Sequence, residues 1–176
     1  MGELRNADGL RPPAKLGAHH ELASFDSGEP ALDDWLRKRA LSNAERGGAQ
    51  TYVISVENRV VAYYTLSAGA VDQAKATGRA RRNMPSPIPV MLIGRLAVER
   101  SHQGRGLGRA LLRDAILRTL QAAEIAGIRA ILVHALSEKA QGFYEQGGFQ
   151  SSPTDPMMLM ITVPDAKESL GLDGDG

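Results

Sequence analysis

The chain has 176 residues, with 21 lysines and arginines against 20 aspartates and glutamates, and no cysteine. The absence of cysteine excludes disulfides and protein thiolate chemistry and suits a reducing cytosol, and no apolar run approaches the length that spans a bilayer. A net charge of +1 says little about partners, whereas the size suits one domain with a sizeable core.

The elements follow in chain order. Residues 1–14 hold two prolines and scattered charges and read as a disordered lead-in without the apolar core of a signal peptide. Asp26-Ser27-Gly28-Glu29-Pro30 reads as a turn and helix start. Leu32, Trp35, Leu36, Ala40 and Leu41 recur at helical spacing as far as Arg46, and Gly47-Gly48 ends that helix. Thr51 to Val56 and Val60 to Leu66 read as a hairpin turned by Glu57-Asn58-Arg59. Asp72 to Pro89 is a long polar stretch carrying Arg79, Arg81 and Arg82, with room for a short helix. Met91 to Val98 reads as the central strand, and Ala110 to Ala126 as a helix with Leu112, Ile116, Leu120 and Ala123 on one face. A buried strand at Ala130–Leu136, a helix ending at Gly147-Gly148 and a last strand at Met157–Val163 complete the ordered part. Residues 164–176 read as a flexible acidic tail, leaving one domain over 15–163.

The chemistry concentrates between the central strand and the helix that follows it. Gln103-Gly104-Arg105-Gly106-Leu107-Gly108-Arg109 places three glycines and two arginines at a helix start. The first helical N–H groups have no partner inside their helix, and the macrodipole adds partial positive charge there. Glycine lets the backbone approach a phosphate closely. The segment is not a P-loop, because no Gly-Lys pair follows, and a G-x-G-x-x-G fingerprint begun at Gly104 fails at Arg109. A phosphate-bearing ligand is therefore expected at this turn. Tyr144 is the second candidate. A phenol with an ordinary pKa near 10 is protonated at neutral pH and can donate to a departing thiolate. Packing beside Phe143 and Phe149 is its bland alternative.

Gln103-x-x-Gly106-x-Gly108 resembles the pyrophosphate turn of the GNAT acyltransferase superfamily, and Phe143-Tyr144 through Gly148-Phe149 resembles its F-Y-x-x-x-G-F segment. The resemblance covers most of residues 15–163. It implies an α/β GNAT fold, a mixed central sheet with splayed central strands flanked by helices, and acetyl-CoA as co-substrate. It also implies that Gln103 to Arg109 hold the cofactor, that Leu96, Ala97 and Val98 offer it backbone groups, and that Tyr144 is the general acid. Ser137 stands where relatives often carry a cofactor-contacting asparagine; a helix cap is the favoured reading and a cofactor contact the other.

Phe25-Asp26-Ser27-Gly28, Leu32-Asp33-Asp34-Trp35-Leu36, Tyr63-Tyr64-Thr65-Leu66-Ser67 and Gly94-Arg95-Leu96-Ala97-Val98 are similar to one GNAT branch, the acetyltransferase toxins of bacterial toxin–antitoxin pairs. That similarity implies acetylation of the α-amine of an aminoacyl-tRNA, a block on translation, a small ribbon–helix–helix antitoxin, a homodimer and a cytoplasmic location without a membrane. Arg95, Arg79, Arg81 and Arg82 are the expected substrate-binding residues. Arg95 lies in an apolar strand and needs a partner there, whether carboxylate, cofactor or substrate. No general base stands out: Glu57, Glu99, Glu138 and Glu145 read as surface carboxylates, and His19, His20, His102 and His134 lack motif partners. No metal-ligand spacing occurs. An α-amine with a pKa near 8 needs less help from a base than a lysine does. The rival readings are an ordinary GNAT enzyme acting on a small amine or protein N-terminus, and a catalytically silent acyl-CoA-binding module.

Overall fold

Tight turns at glycine and at Glu57-Asn58, together with period-two apolar runs, set the strands. The computed structural model describes residues 9–82 and 84–171. In chain order it holds β1 (Leu10–Lys15), α1 (Pro30–Lys38), α2 (Ala40–Glu45), β2 (Gln50–Val56), β3 (Arg59–Val71), α3 (Gly78–Arg81), β4 (Ile88–Val98), α4 (Leu107–Ala126), β5 (Ala130–His134), α5 (Glu138–Gln146), β6 (Gln150–Ser151), β7 (Met158–Thr162) and α6 (Val163–Ser169). The seven strands hydrogen-bond in the order β1-β2-β3-β4-β5-β7-β6, a mixed sheet in which β4 and β5 run parallel. Contacts divide the chain into two compact units, both of which contain parts of β3.

The first unit takes the chain up to Ser67 together with Gly94–Ala115. Its hairpin β2–β3 pairs Val56 with Arg59 around a two-residue turn whose Glu57 adopts φ 54. Phe25, Leu36, Ala40, Val53, Val60, Tyr63 and Ala97 form its core. Burying such side chains is the main favourable term in folding, roughly 1.5–3 kcal/mol each. On another part of the hairpin, Tyr52 stacks on Tyr64, and the Tyr64 hydroxyl donates to the buried Asp114 carboxylate of α4. The second unit takes Ala68–Ile93 and the chain from Ile116 onward. Val71, Ala76, Ala80, Ile88, Val90, Ala130, Leu132, Met158 and Met160 form its core.

Several boundaries differ from the sequence reading. The disordered lead-in expected over 1–14 ends sooner, because Leu10–Lys15 pairs antiparallel with β2; residues 1–8 lie outside the described residues. The helix expected to run to Arg46 breaks at Arg39, whose ψ of −22 comes with a φ of −129. The polar stretch from Asp72 is pinned by α3, which Thr77 caps through Ala80 N and which buries Ala80. The expected tail over 164–176 is helical as far as Ser169; Thr162 caps α6 by accepting from Asp165 N, and Pro164 occupies its first turn. Residues 172–176 lie outside the described residues.

The Tyr64–Asp114 bond joins a strand to α4 across fifty positions of sequence. Tyr64→Phe keeps the ring and removes the donor, so a buried carboxylate loses one partner. Urea unfolding is expected to show a loss of about 1–3 kcal/mol with an unchanged m-value. An unaltered midpoint would mean that the carboxylate draws its support elsewhere.

Candidate active site

The candidate anion site lies where β4 ends. After Val98 the chain makes a 3-10 turn at Arg100–His102, passes Gln103 to Gly106, and enters α4 at Leu107, three residues earlier than the amphipathic pattern suggests. Gly104 and Gly106 take φ +79 and +83, a left-handed conformation in which a side chain is strained. A Cβ at either position would meet nothing within 4 Å. The glycines are thus demanded by backbone conformation, and the space over the turn is open to a ligand. Ala110 N bonds to Gly106 O, which leaves Leu107, Gly108 and Arg109 as the first helical turn. Leu107 is buried and anchors that turn, while Arg105 and Arg109 are exposed. These features fit a pyrophosphate.

Gln103 also has partners within the protein. Its amide donates to Ser27 O at 3.0 Å and to Val98 O at 2.8 Å, so its side chain braces the turn from beneath. Ser27 is itself fixed, since its N–H and its hydroxyl both donate to the buried Asp33 of α1. Arg100 N donates to Asp26 O, and the Arg100 side chain pairs with the Asp26 carboxylate at 3.2 Å. The Asp26-Ser27-Gly28 loop is therefore a bracket for the cofactor turn, a role that its helix-start signature does not announce.

The parallel ladder of β4 with β5 runs over Val90–Ile93 and Ala130–Val133, and β4 continues to Val98 beyond it. Leu96 and Val98 are half-buried there and Ala97 is buried. This places backbone of the expected residues past the end of the ladder.

Arg95 finds its partner in a ring. Its guanidinium lies 3.9 Å over the centre of Trp35, which in turn stacks on Tyr63 with centroids 6.3 Å apart and planes 9° apart. The Tyr63 hydroxyl donates to Leu32 O at 2.6 Å and fixes the stack. Burial pushes the Arg95 pKa down, the Tyr63 side chain opposing, but a guanidinium keeps its charge at any physiological pH. No carboxylate pairs with Arg95 among the described residues. A cation held on an aromatic face keeps its edge donors available to a third group. Trp35 had been read from sequence as helix core; a polar strand residue in want of a partner was the signal that could have found it.

Glu99 corrects the reading of surface carboxylates. It is 7% exposed, and Arg59 Nη1 donates to its two oxygens at 2.8 and 3.0 Å. Ser101 Oγ donates to it at 2.6 Å and also lies 2.9 Å from His102 Nδ1. His102 is buried in this network, just before the turn.

In the second unit, Ser137 caps α5 by accepting from Ala140 N at 3.1 Å, as favoured. Tyr144, on the same helix, is 7% exposed and packs edge-on against Phe143 and Phe149 at 5.2 and 5.6 Å. No hydrogen bond engages its hydroxyl among the described residues. Burial pushes its pKa up to about 12. Such a phenol is a hydrogen-bond donor throughout neutral pH. Because a thiol titrates near 8.5, the tyrosine gives up its proton to a thiolate only when another proton replaces it. Arg79, Arg81 and Arg82 lie exposed on and after α3, and Arg79 is paired with Asp165.

A helix start shaped for phosphate and a phenol that stays protonated are what acyl transfer from a phosphate-bearing thioester asks of a protein, so the fold and its parts define an acyltransferase. Residues 47–151 match the family described as Acetyltransferase (GNAT) domain, and the chain belongs to that family as an acetyl-CoA-dependent N-acetyltransferase. It is 52% identical over 163 residues, 93% of this chain and 98% of the relative, to the tRNA-acetylating toxin of Mycobacterium tuberculosis. Among solved structures it is similar to AtaT complexed with acetyl-methionyl-tRNAfMet, with a TM-score of 0.82 and 29% identity, covering 93% of this chain and 98% of that one. A variant AtaT toxin bound to the C-terminus of the antitoxin AtaR and acetyl-CoA gives a TM-score of 0.78 at 27% identity, covering 92% and 97%.

Gly106→Val forces a β-branched residue into φ +83, a strain of order 1–3 kcal/mol that displaces the turn. Calorimetry is expected to show acetyl-CoA affinity reduced at least about tenfold in a variant that still melts cooperatively. Unchanged affinity would remove the turn from cofactor binding. Tyr144→Phe should cut turnover about 100-fold with little change in acetyl-CoA affinity. Since a raised pKa means that the proton is retained, the wild-type rate should not fall through pH 10 on account of this residue. A fall near pH 10 that Tyr144→Phe abolishes would show an ordinary, solvated phenol instead.

Proposed function

We propose that this chain is a toxin that transfers the acetyl group of acetyl-CoA to the α-amine of an aminoacyl-tRNA and so blocks translation. The observation that carries this reading is the 52% identity, over nearly the full length of both chains, to a tRNA-acetylating toxin. The AtaT relatives support it, one complexed with an acetylated methionyl-tRNA and one with an antitoxin segment and acetyl-CoA. We further propose a small antitoxin of ribbon–helix–helix type as its partner, a homodimer as its assembly and the cytoplasm as its location; the AtaT structures with AtaR support an antitoxin partner.

The roles fall to residues as follows. Acetyl-CoA, when bound, supplies the acetyl group as a thioester. The N–H groups of Leu107, Gly108 and Arg109 and the backbone of Gly104 to Gly106 receive its pyrophosphate. The strand backbone at Leu96, Ala97 and Val98 receives its amide-bearing arm. Arg95, held flat by Trp35, positions the acceptor end of the tRNA with its edge donors. The acceptor amine enters neutral, which its pKa near 8 allows without a dedicated base. Tyr144 donates a hydrogen bond to the sulfur as the C–N bond forms and the C–S bond breaks, and the proton lost by the acetylated nitrogen ends on that sulfur, so the coenzyme leaves as a thiol and Tyr144 stays protonated.

Incubation with acetyl-CoA and total aminoacyl-tRNA, followed by mass spectrometry of the released amino acids, should yield N-acetyl amino acids. Arg95→Ala should lower kcat on that substrate by about tenfold or more while tRNA affinity changes less than threefold, the mark of a positioning residue. Efficient acetylation of a peptide N-terminus or a polyamine with aminoacyl-tRNA untouched would transfer the protein to the ordinary small-amine enzymes of its family.

A further inference from the structure

The ion pair that pins α3 has the geometry of an anion site. Arg79 Nε and Nη2 donate to Asp165 Oδ2 and Oδ1, each at 2.6 Å, in a parallel two-bond fork. Phosphate accepts the same fork from arginine, with more charge. Hydrogen bonding to Arg79 holds the Asp165 carboxyl below its ordinary range, so it is ionised at neutral pH. The pair is open to solvent, with Arg79 59% and Asp165 23% exposed, and an exposed pair of this kind is worth little to stability. Beside it lies a cavity of about 230 Å³ lined by Arg79, Arg82, Met84, Thr162 and Pro164. Arg82 has no carboxylate partner among the described residues. The cavity thus meets two guanidinium groups, only one of them answered by a carboxylate. Among the described residues it has no aromatic ring on which a base could stack, and it suits a compact anion.

We propose that this cavity is a subsite for one backbone phosphate of the tRNA, and that Asp165 occupies Arg79 as an internal stand-in which that phosphate displaces. The proposal rests on the tRNA reading above. It makes Asp165 a residue that lowers tRNA affinity, contrary to the usual expectation for a group that fixes an arginine in place. Phosphate wins the exchange because it brings more charge, sits between both arginines and releases counterions from the RNA.

The test uses the full chain and a fluorescently labelled tRNA, titrated by anisotropy across a salt series. Asp165→Asn keeps the backbone N–H that Thr162 caps and removes the charge. It is expected to tighten tRNA binding about two- to fivefold, the scale of an exposed ion pair. The slope of log K against log salt should change by less than one phosphate contact, roughly 0.7–0.9, because the same phosphate meets Arg79 in both proteins. In an Arg79→Gln background the same substitution should gain nothing, whereas a general change of surface charge would give the same gain in both backgrounds. Acetyl-CoA affinity should stay constant throughout. Unchanged or weaker tRNA binding by Asp165→Asn, or an equal gain without Arg79, overturns the subsite while leaving tRNA acetylation by the wild type standing. A wild type that neither binds nor acetylates tRNA overturns both.

Discussion

Two left-handed residues, Gly104 and Gly106, determine how the chain passes from β4 into α4, and the other parts of the first unit are arranged around that passage. Only glycine adopts this conformation without strain. The turn opens a twenty-residue helix, which buries Leu107, Leu111 and Asp114, and Asp114 accepts from Tyr64 of the hairpin. Had the turn been built from ordinary residues, the helix start would carry the same dipole but lack an open approach over its first N–H groups. Conformation as well as charge shapes this candidate anion site. Arg105 and Arg109 add to the field there, while the backbone supplies the fixed geometry.

Around this turn the unit uses polar groups in places where an apolar contact would have been cheaper. Asp33, Glu99 and His102 are all buried, and each lies in a hydrogen-bonded network. Buried polar groups of this kind define one arrangement and penalise others, because a half-satisfied network costs more than an apolar one. The networks converge on the 3-10 turn that delivers the chain to Gln103. The stack of Trp35 on Tyr63, with Phe25 edge-on to Tyr63, does the same work for Arg95 by fixing a flat cation on a flat ring.

Local signals were legible in the sequence, and long-range ones were not. The hairpin, the central strand, the glycine turn and the capping role of Ser137 all follow from residues within a few positions of one another. The two signatures that mark the family, around Gly106 and around Tyr144, are local in the same sense. What escaped was pairing across distance. Arg79 and Asp165 are 86 positions apart, and Arg59 and Glu99 are 40 apart. No spacing rule predicts such partners, so Glu99 looked like a surface carboxylate and Arg79 carried no sign of its pairing with Asp165. The missed α6 is different, because Thr162 followed by Pro164 and Asp165 is a helix-start pattern that the acidic composition of the end obscured.

The bracket formed by Gln103 has a dynamic side. One amide group ties the carbonyl of Ser27 to that of Val98, and Ser27 is tied to Asp33 within α1. Local opening events in proteins follow such ties, releasing together whatever a shared bond holds. The approach to α1 and the approach to α4 therefore share hydrogen-bonded ties. Opening either approach breaks a bond that also holds the other.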